Sequence, residues 1–550
     1  MKDWKKISVL VIVMGSLAGA LAGCGDTSVP VGIDTATPKI SVMTSATKTA
    51  SAGQGSPVVQ EMQRYLGEAM SKKYNKQYDQ VTLDLQWTAS TAYDEKVTAA
   101  MGANEYPHVM LVTTRNSSVI QNSKAGTFWD LTDKFTLTDE KYVSEENPEG
   151  YVYPKLAQAD PTINRNISVD GKIYGVYRSR ELGRQGVTIR KDWLDNLGLE
   201  QPETIADFEN VLKEFTLGDP DQNGVNGDTY GMIVTNYLDG PLNNLALWMG
   251  SPNEWGYDEE EGVWKPWFMS EGFFNAMTKM REWYEAGYIN KNMATLDANS
   301  WDNDFLNGVG GVQIDVADRA RRNATNIKEN NPDAVVDVFG YVKKDENSEP
   351  TVWPTTGYNG YYVIPTPSVA TEEELDFILS VLDECNGEYI VDLCNYGIEG
   401  RNYTIDEEGN AVKDTDPQLT AEYDDLNQFS MGIAPTTLKT AYANEVAAKV
   451  EDVYDENRDY AVTNPMAPYT SDTYAITGTQ LDAIIAEAKT NYIVGKIDEN
   501  GWAEAIEQWI KMDGDLVIED YTNAYNEDES NHDENGNVVI PDEFKYSFNF

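Results

Sequence analysis

The chain has 550 residues, 41% hydrophobic and 24% charged, a globular balance that excludes wholesale disorder. Its formal net charge of −49 repels nucleic-acid phosphates and anionic lipid, which removes both as partners and leaves solubility as the plain reading of the acid excess. The length is enough for two lobes with separate cores.

At the start, Lys2, Lys5 and Lys6 precede an apolar run over 7–21, too short for a comfortable membrane span and placed as a signal peptide would be. Residues 25–38, rich in Gly, Thr, Ser and Pro, have the composition of a tether. No later stretch reaches ~18 consecutive apolar residues, so the rest is expected to be soluble. Strands and helices then alternate: a strand over 39–44, a helix over 57–74, a strand over 81–87, a helix over 93–101 and a strand over 108–112. This order predicts a parallel sheet with helices on both faces. A helical turn over 130–135 is expected before a loop at 139–165.

The stretch 167–231 is chemically the most specific. Asp170-Gly171 is a turn signal between 167–169 and 173–176, so a short hairpin is expected. A strand over 186–190 runs into a helix over 191–197 that Gly198 can cap, and Pro202-Glu203-Thr204 opens a helix over 205–215. Then Asp219, Asp221 and Asn223 alternate, with Gly224 in sixth place and the Val225 carbonyl in seventh, as an EF-hand-type loop begins. The pattern departs afterwards, because Asp228 falls tenth and Tyr230 occupies the twelfth place. Two readings fit: a structural Ca²⁺ held by Asp219, Asp221, Asn223, Val225 and Asp228, or a solvated Asx-rich turn with no ion.

The chain carries 13 Trp and 32 Tyr, several on loops or strand ends. A sugar site needs aromatic faces for C–H surfaces and fixed polar groups for hydroxyls. Trp87, Tyr93, Trp248, Trp255, Trp301, Trp353 and Tyr358 are the aromatic candidates, with Asp84, Asp94 or Asp315 for hydroxyls. Any one aromatic reads equally as core, yet loops such as MGSPNEWGY and WPTTGYNGYY do not call for tryptophan on packing grounds alone. Arg178, Arg180, Arg184, Arg319, Arg321 and Arg322 form a local excess that either pairs with nearby carboxylates or holds a uronate bidentately. Neutral oligosaccharide is the first expectation and uronate-containing oligosaccharide the second.

The DGKIYG hairpin, the RKDWLDNLGL segment, the PET turn and the DPDQNG loop occur in this order, followed by FLNGVGGVQI at 305–314 and YGIEGRNYTIDEEGN at 396–410. Together they resemble extracellular solute-binding protein family 1, in particular the long Gram-positive lipoproteins serving carbohydrate ABC importers. The resemblance spans most of the chain. It implies an α/β, two-lobed, periplasmic-binding-protein-like fold of type II, with three hinge crossings matched here at 177–179, 314–316 and 363–365. Lobe 1 would hold 39–176 and 317–362, and lobe 2 would hold 177–316 and 363–550. It further implies that LAGC at 21–24 is a lipobox, with 1–23 a lipoprotein signal peptide, lipid on Cys24 and 24–38 the tether; ordinary secretory cleavage near 20–22 is the alternative. The protein would then be a monomer anchored on the extracellular face of the membrane, binding an oligosaccharide in an aromatic inter-lobe cleft and delivering it to a permease. Its ligand contacts would include Arg178 and Asp315 beside the aromatic set.

A glycan hydrolase is the rival class, since it needs only two carboxylates, and 91 acids make any such pair uninformative. His108, on an expected buried strand, and His532, in the acidic tail, are the only histidines. Neither is placed to act as a base. There is no Gly-x-Ser-x-Gly elbow, no HExxH and no phosphate-cradling glycine loop. A peptide-binding lipoprotein is the third class. Cys385 and Cys394, nine apart, are either bridged or free and buried, and without histidines nearby make no zinc site.

Overall fold

The computed structural model describes residues 35–434, 436–442 and 444–548. The expected signal peptide 1–23, Cys24 and the tether up to residue 34 lie outside them.

The chain first lays down β1 (Lys39–Ala46), β2 (Thr82–Ala89) and β3 (Val109–Val112), with β1 parallel to both others. β1 is buried from Ile40 to its end, which is why KISVMTSA shows no polar alternation. The intervening helix Pro57–Tyr74 starts where Ser56 accepts from the Val58 and Val59 amides. It ends at Asn75, in the left-handed region at φ 49°. Its Val58, Val59, Met62, Leu66 and Met70 follow the helical period and seal one face of the sheet.

After β4 (Gly175–Ser179) the chain leaves this sheet. It builds β5 (Gln185–Arg190), β6 (Tyr230–Met232), the hairpin of β7 (Trp255–Asp258) and β8 (Val263–Pro266), then β9 (Gly310–Val316) and β10 (Val336–Phe339). A second sheet forms in the order β10-β5-β9-β6. β11 (Tyr358–Val363) then returns to the first sheet between β3 and β4, antiparallel to both, completing the order β2-β1-β3-β11-β4. Each sheet has its own core. One gathers Ile40 through Tyr177 with Tyr361 through Met431, the other Val187 through Val342 with Leu481 through Val517. The fold is two-lobed α/β.

The expected division of the lobes is corrected at two of its boundaries. Residues 317–342 stay in the second lobe, because β10 pairs with β5, and 364–431 belong to the first, because the helices Glu372–Cys385 and Glu388–Tyr396 pack on Pro57–Tyr74. The expected crossings at 314–316 and 363–365 therefore lie inside sheets. The chain crosses instead at 180–184, at 343–357, and a third time between Met431 and the helix Glu445–Asp459. The first two straps run side by side, Arg180 N donating to Gly357 O and Thr355 N to Leu182 O, both at 3.0 Å, and Ser179 N donates to Met431 O at 2.6 Å where the third leaves the first lobe. The buried Asn457 amide donates to Gly183 O and Gln185 O at 2.9 and 2.7 Å, pinning the first strap to the second lobe.

Local expectations fare unevenly. Residues 130–135 form turns without a helix. The hairpin at 167–176 shrinks to one bridge, Val169 to Lys172, around Asp170 and Gly171 at φ 50° and 75°, the two left-handed positions of a type I′ turn. Cys385 and Cys394 are free and buried.

The lobes also touch beyond the straps. Arg115, just past β3, donates through Nη1 to the carbonyls of Asn166, Ser168 and Pro468 at 2.9, 2.8 and 3.2 Å. Through Nη2 it donates to those of Ala467 and Tyr469 at 2.6 and 2.7 Å. Arg165 pairs with Asp528 at 3.1 Å beside it.

Two outcomes follow from this packing. Gly311 on β9 faces the Phe215 and Trp193 rings with no room for a methyl group, so Gly311→Ala should cost about 1–3 kcal/mol, read as a lower urea midpoint with an unchanged slope. Arg115→Ala removes the donor shared by two lobes, at about 2 kcal/mol to their contact. The ligand-free variant should show a larger radius of gyration in X-ray scattering with unchanged circular dichroism, and an equal radius would deny Arg115 that role.

Candidate functional site

A cleft of 660 Å³ lies between the lobes. The straps form its floor with Arg180, Leu182, Arg184 and Trp353 to Thr356. The first lobe contributes Arg115, Asp160, Thr162 and Asn166, and the second contributes Tyr237, Asn253, Glu254, Trp255, Asp315, Asn464, Tyr469 and Tyr521. An open α/β architecture places ligands at such a crevice.

Six aromatic side chains line it: Tyr237, Trp255, Trp353, Tyr358, Tyr469 and Tyr521. Trp255, at the head of β7, packs on Tyr521 with ring centroids 4.6 Å apart, and Tyr358 meets Tyr361 edge-on at 6.3 Å. These contacts fix the rings before any ligand arrives. Between the rings stand polar groups held in place. Asn253 Nδ2 donates to Val462 O at 2.7 Å, and Asn464 Nδ2 donates to Glu254 Oε2 at 2.6 Å. Glu254 has φ 61°, a left-handed conformation costly for a residue with a Cβ, and its backbone carbonyl is bound by Trp267 N at 2.7 Å. Its side chain is open to the cleft yet ringed by protein. That desolvation, with the charges of Asp239 and Asp482, raises its carboxyl above the ordinary value.

Most arginines in and around the hinge are neutralised. Arg184 pairs with Asp318 at 3.1 Å, Arg322 with Asp318 at 3.2 Å, Arg321 with Glu451 at 2.8 Å and Arg458 with Glu181 at 2.6 Å. Arg319 bridges Asp315 and Asp302 at 2.5 and 2.6 Å. Burial opposes ionisation of Asp318, but Arg184 and Arg322 outweigh it and hold the carboxyl low. Arg180 is different: among the described residues no carboxylate lies within ion-pair distance of its guanidinium, and burial with the charges of Arg184 and Arg178 lowers its pKa against the more distant pull of Asp318.

Of the residues expected to bind ligand, Trp255, Trp353, Tyr358 and Asp315 line the cleft. The others require correction. Trp248 and Trp301 are each 2% exposed in the second lobe, Trp248 against Phe208 and Trp301 with its indole N–H on Ile233 O at 3.0 Å under the Arg319 guanidinium. Tyr93 is buried in the first lobe and donates between the Met43 and Leu111 carbonyls. Arg178 is buried below the floor on Asn359 O and Gln428 Oε1, both at 3.1 Å. Trp87 is half-buried against the first core with its indole N–H on Ala52 O at 2.8 Å, apart from this cavity. An indole or phenol is satisfied by an apolar wall with one carbonyl at its edge, and a core supplies that as readily as a cleft. Asp84 pairs with Lys39, and Asp94 accepts from Thr113.

Arg115, Glu254, Asn464, Tyr237, Tyr469 and Tyr521 are cleft residues that sequence reasoning missed. Glu254 stands inside the quoted loop MGSPNEWGY, where its charge beside tryptophan was the available signal. Tyr521 lies on a helix, Asp515–Glu527, whose periodicity reads as core. His108 is buried on Ser41, and His532 binds Asn526 O in the tail; neither enters the cleft.

The DPDQNG loop folds on itself. Asn223 Nδ2 donates to Asp221 and Asp228 at 2.9 and 2.8 Å, and Gly224 N to Asp219 Oδ2 at 3.1 Å, while Asp219 Oδ1 is buried without a partner. Desolvation, then Asp228 and Asp219, raise the Asp221 carboxyl. Among the described residues no group of three or more His, Cys, Asp and Glu side chains is gathered tightly enough to hold a metal, and no helix is long and apolar enough to cross a membrane.

The family model for bacterial extracellular solute-binding proteins matches residues 69–386. Lipoprotein LipO of Bacillus subtilis (strain 168) is 33% identical over 517 residues, covering 92% of this chain and 96% of LipO. The polygalacturonan/rhamnogalacturonan-binding protein YtcQ of the same organism is 29% identical over 535 residues, covering 94% and 98%. Among solved structures, the S. pneumoniae ABC-transporter substrate-binding protein FusA, as an EF-hand mutant in complex with fructo-nystose, superposes with a TM-score of 0.57 at 18% identity, covering 90% of this chain and all of FusA. Two lobes on three straps around an aromatic cleft, and a match over most of the length, agree: this chain belongs to the family of bacterial extracellular solute-binding proteins, and it binds its solute without being an enzyme.

Proposed function

We propose that the protein captures an oligosaccharide in the inter-lobe cleft and delivers it to the permease of an ABC importer. The observation carrying this is the lining of six aromatic rings, five of them packed on another ring, interleaved with fixed amides and carboxylates. Such a surface suits pyranose or furanose rings, whose C–H faces lie on aromatic faces while hydroxyls bond at the rim. The names of YtcQ and of the FusA complex support the same class. The cycle is closure of the lobes about the straps, a population shift that the ligand drives, then docking of the closed form. We place the monomeric protein on the extracellular face of the membrane, held by lipid on Cys24.

Within that class, the expected preference for neutral sugar yields to a uronate-bearing chain because of Arg180. A cationic fork on the cleft floor without a carboxylate partner offers bidentate pairing to a sugar carboxylate. The runner-up is a neutral oligosaccharide bound by the same rings.

The DPDQNG loop is the proposed Ca²⁺ site. The buried Asp219 Oδ1, which accepts no hydrogen bond, and the desolvation and nearby Asp228 charge that raise Asp221 are what a divalent cation would relieve. Asp219, Asp221, Asn223, Asp228 and the Val225 carbonyl would hold it, and it would brace the loop far from the cleft.

Calorimetry against oligogalacturonides and neutral oligosaccharides tests the main reading, with mass spectrometry expected to return the ligand intact. Trp255→Ala should weaken binding of either about tenfold, with circular dichroism showing the fold retained. Arg180→Ala should cost about 2 kcal/mol for the acidic ligand only. Loss of affinity for both sugars alike in Arg180→Ala would return the neutral reading, and binding to neither by the wild type would end the sugar assignment. For the loop, Ca²⁺ at about a hundredfold its Kd should stabilise the protein by about 2.7 kcal/mol, seen as a raised Tm, and Asp219→Ala should abolish that rise.

A further inference from the structure

Past Arg115 the inter-lobe space does not end. A second cavity of 300 Å³ opens on its far side, and Arg115, Tyr469 and Tyr521 line both cavities. Its walls come from both lobes, as the cleft's do. The first lobe supplies Asn116, Ser117 and Ile120, and the second supplies the start of the helix Asp472–Ile493. Ser117 Oγ donates to Ala475 O at 3.3 Å across the gap, so this space also changes when the lobes move.

Its chemistry continues that of the cleft. The Tyr521 ring, packed on Trp255, reaches the second cavity, and Tyr474 stands beyond it at 39% exposure. An exposed phenol ring is ordinarily mobile, but this one is tethered by its hydroxyl, which donates to both Asp482 oxygens at 3.0 and 2.8 Å. Trp255, Tyr521 and Tyr474 thus form an aromatic track leading out of the cleft. The charges along it differ from those on the cleft floor. Arg115 is spent on five carbonyls, and burial raises the Asp482 carboxyl, so nothing there offers a free cation to a sugar carboxylate.

Resting on the oligosaccharide reading, we propose that this cavity is an annex subsite. It receives an uncharged sugar residue of a chain that threads past Arg115, and it makes the protein select longer oligosaccharides of mixed acidic and neutral composition. Tyr474 is the ring on which that residue lies. Thr479, on the same helix, also lines the annex and does not line the main cleft.

The test is titration calorimetry with a size ladder of rhamnose–galacturonate oligosaccharides, dimer to octamer, on the full-length mature protein. Wild-type affinity should step up about tenfold once the chain is long enough to reach the annex. Thr479→Trp, which fills the space, and Tyr474→Ala, which removes the ring, should each erase that step while leaving the affinity of the shortest fragments unchanged, with circular dichroism confirming the fold. A wild-type affinity independent of length, or a step surviving in both variants, overturns the annex and spares the main cleft. If no fragment of any length binds, the oligosaccharide reading falls and takes the annex with it.

Discussion

Two backbone straps lying edge to edge are the constraint from which the rest of the molecule takes its geometry. Because Arg180 and Leu182 bond to Gly357 and Thr355, and Ser179 to Met431 where the third crossing begins, the passages of the chain between two separate cores are gathered into one narrow band. That band is also the cleft floor, so the side chains that leave it, Arg180 from one strap and Trp353 from another, are set by the hinge itself. Lobe motion and ligand contact are therefore not independent: residues that bend also bind. The walls, by contrast, are rigid because each ring or amide in them rests on a neighbour inside its own lobe.

Electrostatics shapes the same band. In a chain with 91 acidic residues against 42 basic ones, a cluster of arginines at the hinge finds carboxylates easily, and Arg184, Arg319, Arg321 and Arg322 all do. These pairs are partly buried, where they orient elements more than they stabilise them. Their effect is selective: with these four paired to carboxylates, and Arg115 and Arg178 bonded to carbonyls, Arg180 stands on the cleft floor as a cation with no carboxylate partner among the described residues.

Much of the fold was legible from periodicity and punctuation. The helices Pro57–Tyr74 and Lys191–Leu197 coincide with the ranges expected from the sequence, because Ser56 marks the start of the one and Gly198 the end of the other. The lobe assignment failed where a strand that crosses a hinge and one that stays in a sheet are written in the same residues. GGVQIDV and YNGYYV are both Gly-bearing apolar runs, and only their pairing with β5 and β3 reveals that neither crosses. The site was half legible. Loop tryptophans with polar neighbours, Trp255 and Trp353, reached the cleft, whereas Trp248 and Trp301, on helices, went to the core. Arg115 could not have been found, since its role comes from carbonyls more than 350 residues away.

The interleaving of the two lobes has a consequence for how the molecule comes into being. The first sheet lacks its fourth strand in spatial order until β11 exists, and its core is not sealed before Met431; the second core needs side chains as late as Val517. A ribosome or translocation channel releasing this chain from its amino terminus thus emits almost all of it before either half can shut, and contacts of such long sequence separation form slowly. The polypeptide must stay open for most of its passage, a property that suits transport through a narrow pore and forbids cutting the gene into two independently folding halves.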